Sequence, residues 1–330
     1  MAKDRSGRRA PASHRPPTRN GRGAATAADL PEGPVPIATG TAEVRRSPDD
    51  PDGVTLLVNG VPSSHLDLSD PLRLEFEYMQ QMAAVLDRTA ARTTLPPPGA
   101  RAPGTRPVGD GAPGDGTRTA APLRVTHLGA AGCALARWVD ATHPGSRQVA
   151  VDLDPVLVAL VREWFDLPRA PALRLRTGDA RAELATLPDG GADAVVRDVF
   201  AGDRTPAHVG TLEFVQDVAR ALRPGGVYLA NCADRPPLDH ARDEVATLAA
   251  VFGHVGLVAE PGVLRGRRYG NLVLVGTDDP AVLTDASLAR ELRSLPVPAR
   301  LLTGDELRSF AGRHVPLRDP APEVGTPAVG

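Results

Sequence analysis

The chain has 330 residues, 24% of them charged and 42% hydrophobic, with a net charge of −2. That length is enough for one sizeable core with a small second domain. The balanced charge excludes a global basic field for nucleic acid, and an aromatic content of 3% leaves few rings for base stacking. No apolar run reaches the roughly eighteen residues of a membrane span. The charged start, Met1-Ala2-Lys3-Asp4-Arg5, has no apolar region behind it. A cytoplasmic protein with neither membrane nor nucleic-acid partner is the expectation.

Residues 1–50 are rich in Arg, Pro, Ala and Gly, and are read as a disordered tail. Residues 51–88 are read as an N-terminal hairpin-helix module. Val54–Val58 forms one strand, Asn59-Gly60 turns, and Val61–Leu68 returns. Ser69-Asp70-Pro71 then opens a helix whose buried face carries Leu72, Phe76, Met79, Met82 and Ala83. Residues 89–122 are Pro, Gly, Arg and Thr without periodicity, a flexible linker.

Residues 123–277 alternate strands and helices, and form the main domain. Strands are predicted at 124–128, 148–152, 172–176, 193–198, 226–231, 255–259 and 271–276. Helices are predicted at 133–142, 155–165, 180–186, 208–222 and 239–252. Such alternation gives a mostly parallel sheet covered on both faces. The final two strands are joined only by a loop, 260–270, which suits an antiparallel pair. Residues 278–330 add two short helices and a loose tail. This is an α/β, Rossmann-like arrangement of the class I methyltransferase type, with seven strands in the sheet.

The stretch from Leu123 to Asp154 carries the clearest chemistry. A strand ends in Gly129-Ala130-Ala131-Gly132-Cys133, a helix follows, and a second strand ends on Asp152. Gly129 and Gly132 would let the backbone approach a ligand, and Asp152 lies where a carboxylate accepts from ribose hydroxyls. Asp154, ahead of Pro155, reads as a helix cap. Asp179, in Gly178-Asp179-Ala180, reads equally as an acceptor for an adenine amino group or as the cap of the next helix. Asp198 ends the fourth strand, where a carboxylate could hold an amine or take its proton. Asp203 reads as a turn residue. His65 and His127 read as structural. Cys133 and Cys232 have no metal-ligand spacing, so neither a zinc site nor a disulfide is expected. Cys133 has no visible base and is not read as a nucleophile.

With these residues in hand, the chain resembles the spermidine/spermine synthase family of polyamine aminopropyltransferases, in particular the spermidine-synthase-like proteins of high-GC bacteria. The resemblance runs from about Val54 to Thr277. It includes the hairpin, the segment Glu75-Phe-Glu-Tyr-Met-Gln-Gln-Met82, and the motifs Val-Asp-Leu-Asp-Pro, Gly-Asp-Ala, Asp-Ala-Val-Val-Arg-Asp and Leu-Arg-Pro-Gly-Gly. It implies a transferase that moves an aminopropyl group from decarboxylated S-adenosylmethionine to a small-molecule amine. It implies that Asp152 binds ribose, Asp179 binds adenine, Asp198 takes the amine proton and Tyr78 orients the amine, in a homodimer without metal. The chain departs from the family at three places. The turn lacks the family's aspartate, Tyr-His-Glu is here Tyr78-Met79-Gln80, and Asp-Ser-Ser-Asp-Pro is here Asp198-Val199-Phe200-Ala201-Gly202. Methyl transfer from intact S-adenosylmethionine, or nucleoside binding without catalysis, are the alternative readings.

Overall fold

The computed structural model describes residues 30–93, 121–202 and 204–321. The residues expected to be tail before Leu30, most of the expected linker, Asp203 and the end of the chain lie outside it. Four strands open the chain: β1 (Pro34–Ile37), β2 (Gly40–Ser47), β3 (Asp50–Val58) and β4 (Val61–Asp67). They pair in sequence order as an antiparallel sheet. Two of these strands fall inside the stretch expected to be tail. The signal lay in a period of two: Ala42 and Val44 are buried while Thr41, Glu43 and Arg45 alternate with them toward the other face.

Helix α1 (Glu77–Thr93) begins six residues later than Pro71. Asp70, placed to cap a helix at Pro71, closes a turn instead, and so does Asp67 before it. Asp67 Oδ1 accepts from Ser69 N and Asp70 N at 2.9 and 2.8 Å, and Asp70 Oδ1 accepts from Leu72 N at 2.9 Å. Arg73 pairs with Asp50 and Asp67, which pins the turn to the sheet. Leu72 is therefore 54% exposed, whereas Met79, Met82 and Ala83 are buried as expected.

The main domain follows the predicted order: β5 (Arg124–Leu128), α2 (Ala134–Thr142), β6 (Arg147–Asp152), α3 (Pro155–Trp164), β7 (Leu173–Thr177), α4 (Ala180–Ala185) and β8 (Ala192–Arg197). Next come a 3-10 turn (Ala207–Val209), α5 (Leu212–Ala221), β9 (Leu222–Asp234), α6 (Asp239–Ala249) and β10 (His254–Ala259). The loop before the last long strand, β11 (Gly270–Thr277), contains one helical turn, α7 (Pro261–Leu264). Beyond it lie three helices rather than two, α8 (Pro280–Thr284), α9 (Ala286–Ser294) and α10 (Gly304–Ala311), and a short strand β12 (Arg300–Leu302). β12 adds an eighth strand to the sheet, whose order is β12-β10-β11-β9-β8-β5-β6-β7.

Strands β9-β8-β5-β6-β7 run parallel, and β11, β10 and β12 are antiparallel. Alternate residues feed two cores. Ala194, Val196, Val227, Leu229 and Val273 face α1 and α2, while Val195, Tyr228, Ala230 and Leu274 face α5 and α6. Strand order reverses between β5 and β8, and in an open sheet the crevice at that reversal is where ligands bind.

Candidate functional site

The strand ends at this crevice carry the candidate residues. Gly129, with φ +80°, turns the chain at the tip of β5. A Cβ on it would lie 2.2 Å from the Asp198 main-chain oxygen. The freedom of this glycine thus serves the contact between the β5 and β8 tips. Gly132 was expected to admit a ligand, but its close approach is to another part of the chain. A Cβ there would meet the Ser64 Cβ at 2.8 Å and the Leu66 Cδ1 at 2.9 Å, and Gly132 N donates to Ser64 Oγ at 3.0 Å. Arg137 Nη1 donates to the Asp67 oxygen at 2.9 Å beside it. The turn is packed onto β4, and that contact explains a glycine at 132.

Asp152 and Asp154, two residues apart, are held differently. Asp152 Oδ2 accepts from Ala131 N and Oδ1 accepts from Asp154 N, both at 3.1 Å. Its carboxyl lies at the end of β6, and burial raises its pKa above the ordinary aspartate range despite those two donors. Asp154 is 2% exposed. It caps α3 through Val156 N and Leu157 N at 2.9 Å, and takes Thr39 N at 2.6 Å and Thr39 Oγ1 at 2.8 Å. Burial works against its charge, but these donors outweigh it and lower the pKa. Asp154 is the cap that its place before Pro155 indicated, and it also fastens the N-terminal sheet to the main domain.

Asp179 does cap α4, accepting from Arg181 N and Ala182 N at 3.0 Å through Oδ1. Its Oδ2 lies 2.8 Å from His208 Nε2. Burial opposes its ionisation, yet the Ala182 N–H and His208 bring its pKa below the ordinary range.

At the tip of β8, Asp198 meets partners from two distant elements. The Tyr78 hydroxyl of α1 donates to Oδ2 at 2.9 Å, and Asn231 Nδ2 of β9 donates to Oδ1 at 2.9 Å. Burial of the carboxyl raises the Asp198 pKa, against the pull of Asn231, Tyr78 and Arg197. Burial also raises the Tyr78 pKa, so the phenol remains a donor. Asn231 Oδ1 is buried without a hydrogen-bond partner. A cavity of ≈ 20 Å³, about the room of one water, lies beside Asp198 and is lined by Met79, Met82, His127, Ala130 and Cys133. An acceptor carboxylate set in a largely apolar wall suits a cationic or proton-donating group.

The sequence reading missed Asn231, although one amide inside the apolar run Val227–Cys232 was its signal. It also missed Thr39, Ser64 and His208, whose partners are remote in sequence. His127 Nε2 lies 2.9 Å from Gln148 Oε1, and burial drops its pKa to about 4. His65 pairs with Thr55 at 3.1 Å. Both rings are buried, and His65 Nε2 has no hydrogen-bond partner among the described residues. Burial pushes the Cys133 thiol up to about 12, which leaves it inert.

No family model matches the chain. The polyamine aminopropyltransferase of Vibrio vulnificus (strain CMCP6) is 31% identical over 135 residues, 40% of this chain and 44% of that protein. The chain matches less than half the length of the curated aminopropyltransferases it resembles. A crystal structure of a probable spermidine synthase from Corynebacterium glutamicum ATCC 13032 is 35% identical, with a TM-score of 0.77 over 90% of this chain and 100% of that one. A spermidine synthase in complex with the transition-state analogue AdoDATO is alike in fold, with a TM-score of 0.52 and 15% identity over 80% of this chain and 77% of that one.

Proposed function

The chain belongs to the spermidine synthase family, and on that footing we propose that it transfers an aminopropyl group from decarboxylated S-adenosylmethionine to a small-molecule amine. The observation that carries this reading is the convergence of Tyr78 and Asn231 on the Asp198 carboxylate. The amine nitrogen attacks the aminopropyl carbon beside the sulfonium. The C–N bond forms as the C–S bond breaks, its electron pair stays on sulfur, and methylthioadenosine leaves. The proton lost from nitrogen passes to Asp198. The sulfonium is already a good leaving group, so positioning and deprotonation are what the protein must supply. Burial raises the Asp198 pKa, which makes it a better proton acceptor than a solvated aspartate. Tyr78 stays protonated and orients the carboxylate. Asp152 binds the ribose and Asp179 the adenine, with Gly129 shaping the turn at the tip of β5. The active species is a homodimer in the cytoplasm.

One observation favours a second reading, methyl transfer from intact S-adenosylmethionine. Gly132 occupies the position of the family's turn acid, and its packing on Ser64 and Leu66 leaves no room for a side chain. No carboxylate at that turn then repels the methionine carboxylate of the intact donor. Calorimetric titration with decarboxylated S-adenosylmethionine, S-adenosylmethionine and methylthioadenosine separates the readings. Preference for the decarboxylated donor, followed by mass-spectrometric detection of an aminopropylated diamine, is the expected result. Preference for the intact donor moves the reaction to methyl transfer, and binding of none removes catalysis.

A further inference from the structure

Behind Asp198 lies a buried ion pair that the transfer reaction does not touch. Arg197, the preceding residue, has a side chain 1% exposed, as does Glu244 of α6. Arg197 Nη1 and Nη2 donate to Glu244 Oε1 and Oε2 at 2.9 and 2.7 Å. The same guanidinium donates to the main-chain oxygens of Asn231 at 3.0 Å and Val209 at 3.2 Å. One side chain thus ties the end of β8 to β9, to the 3-10 turn and to α6. A buried pair of this kind is rarely more stabilising than apolar residues of the same size. Its placement under the two strand tips that carry Asp198 and Asn231 gives it a different use.

Cys232 and His240 stand next to Glu244, and ligand atoms of the three lie within 4.8 Å of one another. Both Glu244 oxygens already accept from Arg197, so a cation there would face a buried guanidinium. The trio is better explained as part of the ion-pair network than as a metal centre.

We propose that Arg197, clamped by Glu244, is a positioning residue for Asp198 and Asn231: it fixes the spacing of the β8 and β9 tips and places a permanent positive charge one residue from the Asp198 carboxylate. The proposal rests on the reading of Asp198 as proton acceptor. Asp198 faces Tyr78 from α1, Asn231 from β9 and Arg197 from its own strand. Arg197 in turn faces Glu244 of α6 and Tyr228 and Cys232 of β9, while His240 of α6 faces Glu244.

The test follows the carboxyl titration of Asp198 by 13C NMR in aspartate-labelled protein, with D198N identifying the resonance. Arg197→Met alone strands a buried carboxylate, so the informative variant is Arg197→Met/Glu244→Leu, which removes both charges. Its Asp198 midpoint should rise, because the lost Arg197 charge favoured the ionised carboxyl. Arg197→Lys should keep the midpoint, since charge remains. It should still lower kcat by roughly 100-fold, because an ammonium cannot reproduce the bidentate geometry that sets the spacing. The acid limb of kcat/KM should move with the midpoint in the double variant, while donor Kd stays unchanged. An unmoved midpoint in the double variant, with only a lower Tm, overturns the proposal. The titration needs no turnover. Wild-type protein that transfers no aminopropyl group would therefore overturn the functional reading separately.

Discussion

The tips of β6 and β8 each present an aspartate to the same crevice, but they were made ready in different ways. At β6 two neighbouring aspartates divide the labour. Asp154 spends its oxygens on donors of α3 and of Thr39, and Asp152 accepts from the turn beside it. At β8 the partners of Asp198 are 120 and 33 residues away in sequence, Tyr78 and Asn231. The pKa directions follow the same division, lowered at Asp154 and raised at Asp152 and Asp198. At Asp154 the donors outweigh the cost of burial. Where burial prevails, a carboxylate retains an affinity for protons or for ligand donors.

Substitutions can break this contrast. The largest effect is expected from Asp198→Asn, which should lower kcat by about 1,000-fold, some 4 kcal/mol in barrier, with donor affinity nearly unchanged. Single-turnover kinetics beside calorimetry would check it, and loss of donor binding with intact chemistry would contradict the role. Asp154→Ala should do the reverse, costing about 3 kcal/mol of stability by uncapping α3 and stranding Thr39, as read by urea denaturation. Because the Asp154 pKa is lowered on folding, its contribution is present above the ordinary aspartate range and lost as pH falls through the folded value. The stability gap between wild type and variant should therefore close in acid.

Asp152→Asn should weaken nucleoside binding roughly thirtyfold, about 2 kcal/mol, while kcat changes little. Equal losses at Asp152 and Asp198 in both binding and rate would erase the distinction between the two tips. The smallest expected effect is Tyr78→Phe, about a tenfold loss of kcat/KM. The Tyr78 hydroxyl favours the ionised Asp198, so its removal should raise the folded pKa further and move the acid limb of the rate profile to higher pH. An unmoved limb would leave Tyr78 with a packing role alone.

Much of this molecule was legible before folding. Strands from β5 to β11 and the helices between them other than α7 follow from apolar runs and 3.6-residue periods that burial requires of a covered sheet. The cap at Asp154 and the acids at the strand ends follow from position, since a carboxylate ahead of Pro155 or at a strand tip has few other local uses. The N-terminal sheet was only half legible. Ala42 and Val44 alternate, but the surrounding Pro, Gly and Arg masked the period, and β2 is a strand because it pairs with β3.

What the sequence determined by itself is the alternation of strands and helices from β5 to β11 and the acids at the strand ends, because those depend on local periodicity and short-range turn chemistry. Only the tertiary structure decided which distant residues meet. Gly132 packs against Ser64, Asn231 meets Asp198, and Arg197 finds Glu244. These contacts join residues 33 to 68 positions apart. No local pattern encodes such pairs, because hydrogen-bond and charge complementarity act through space and become selective only once packing has excluded water.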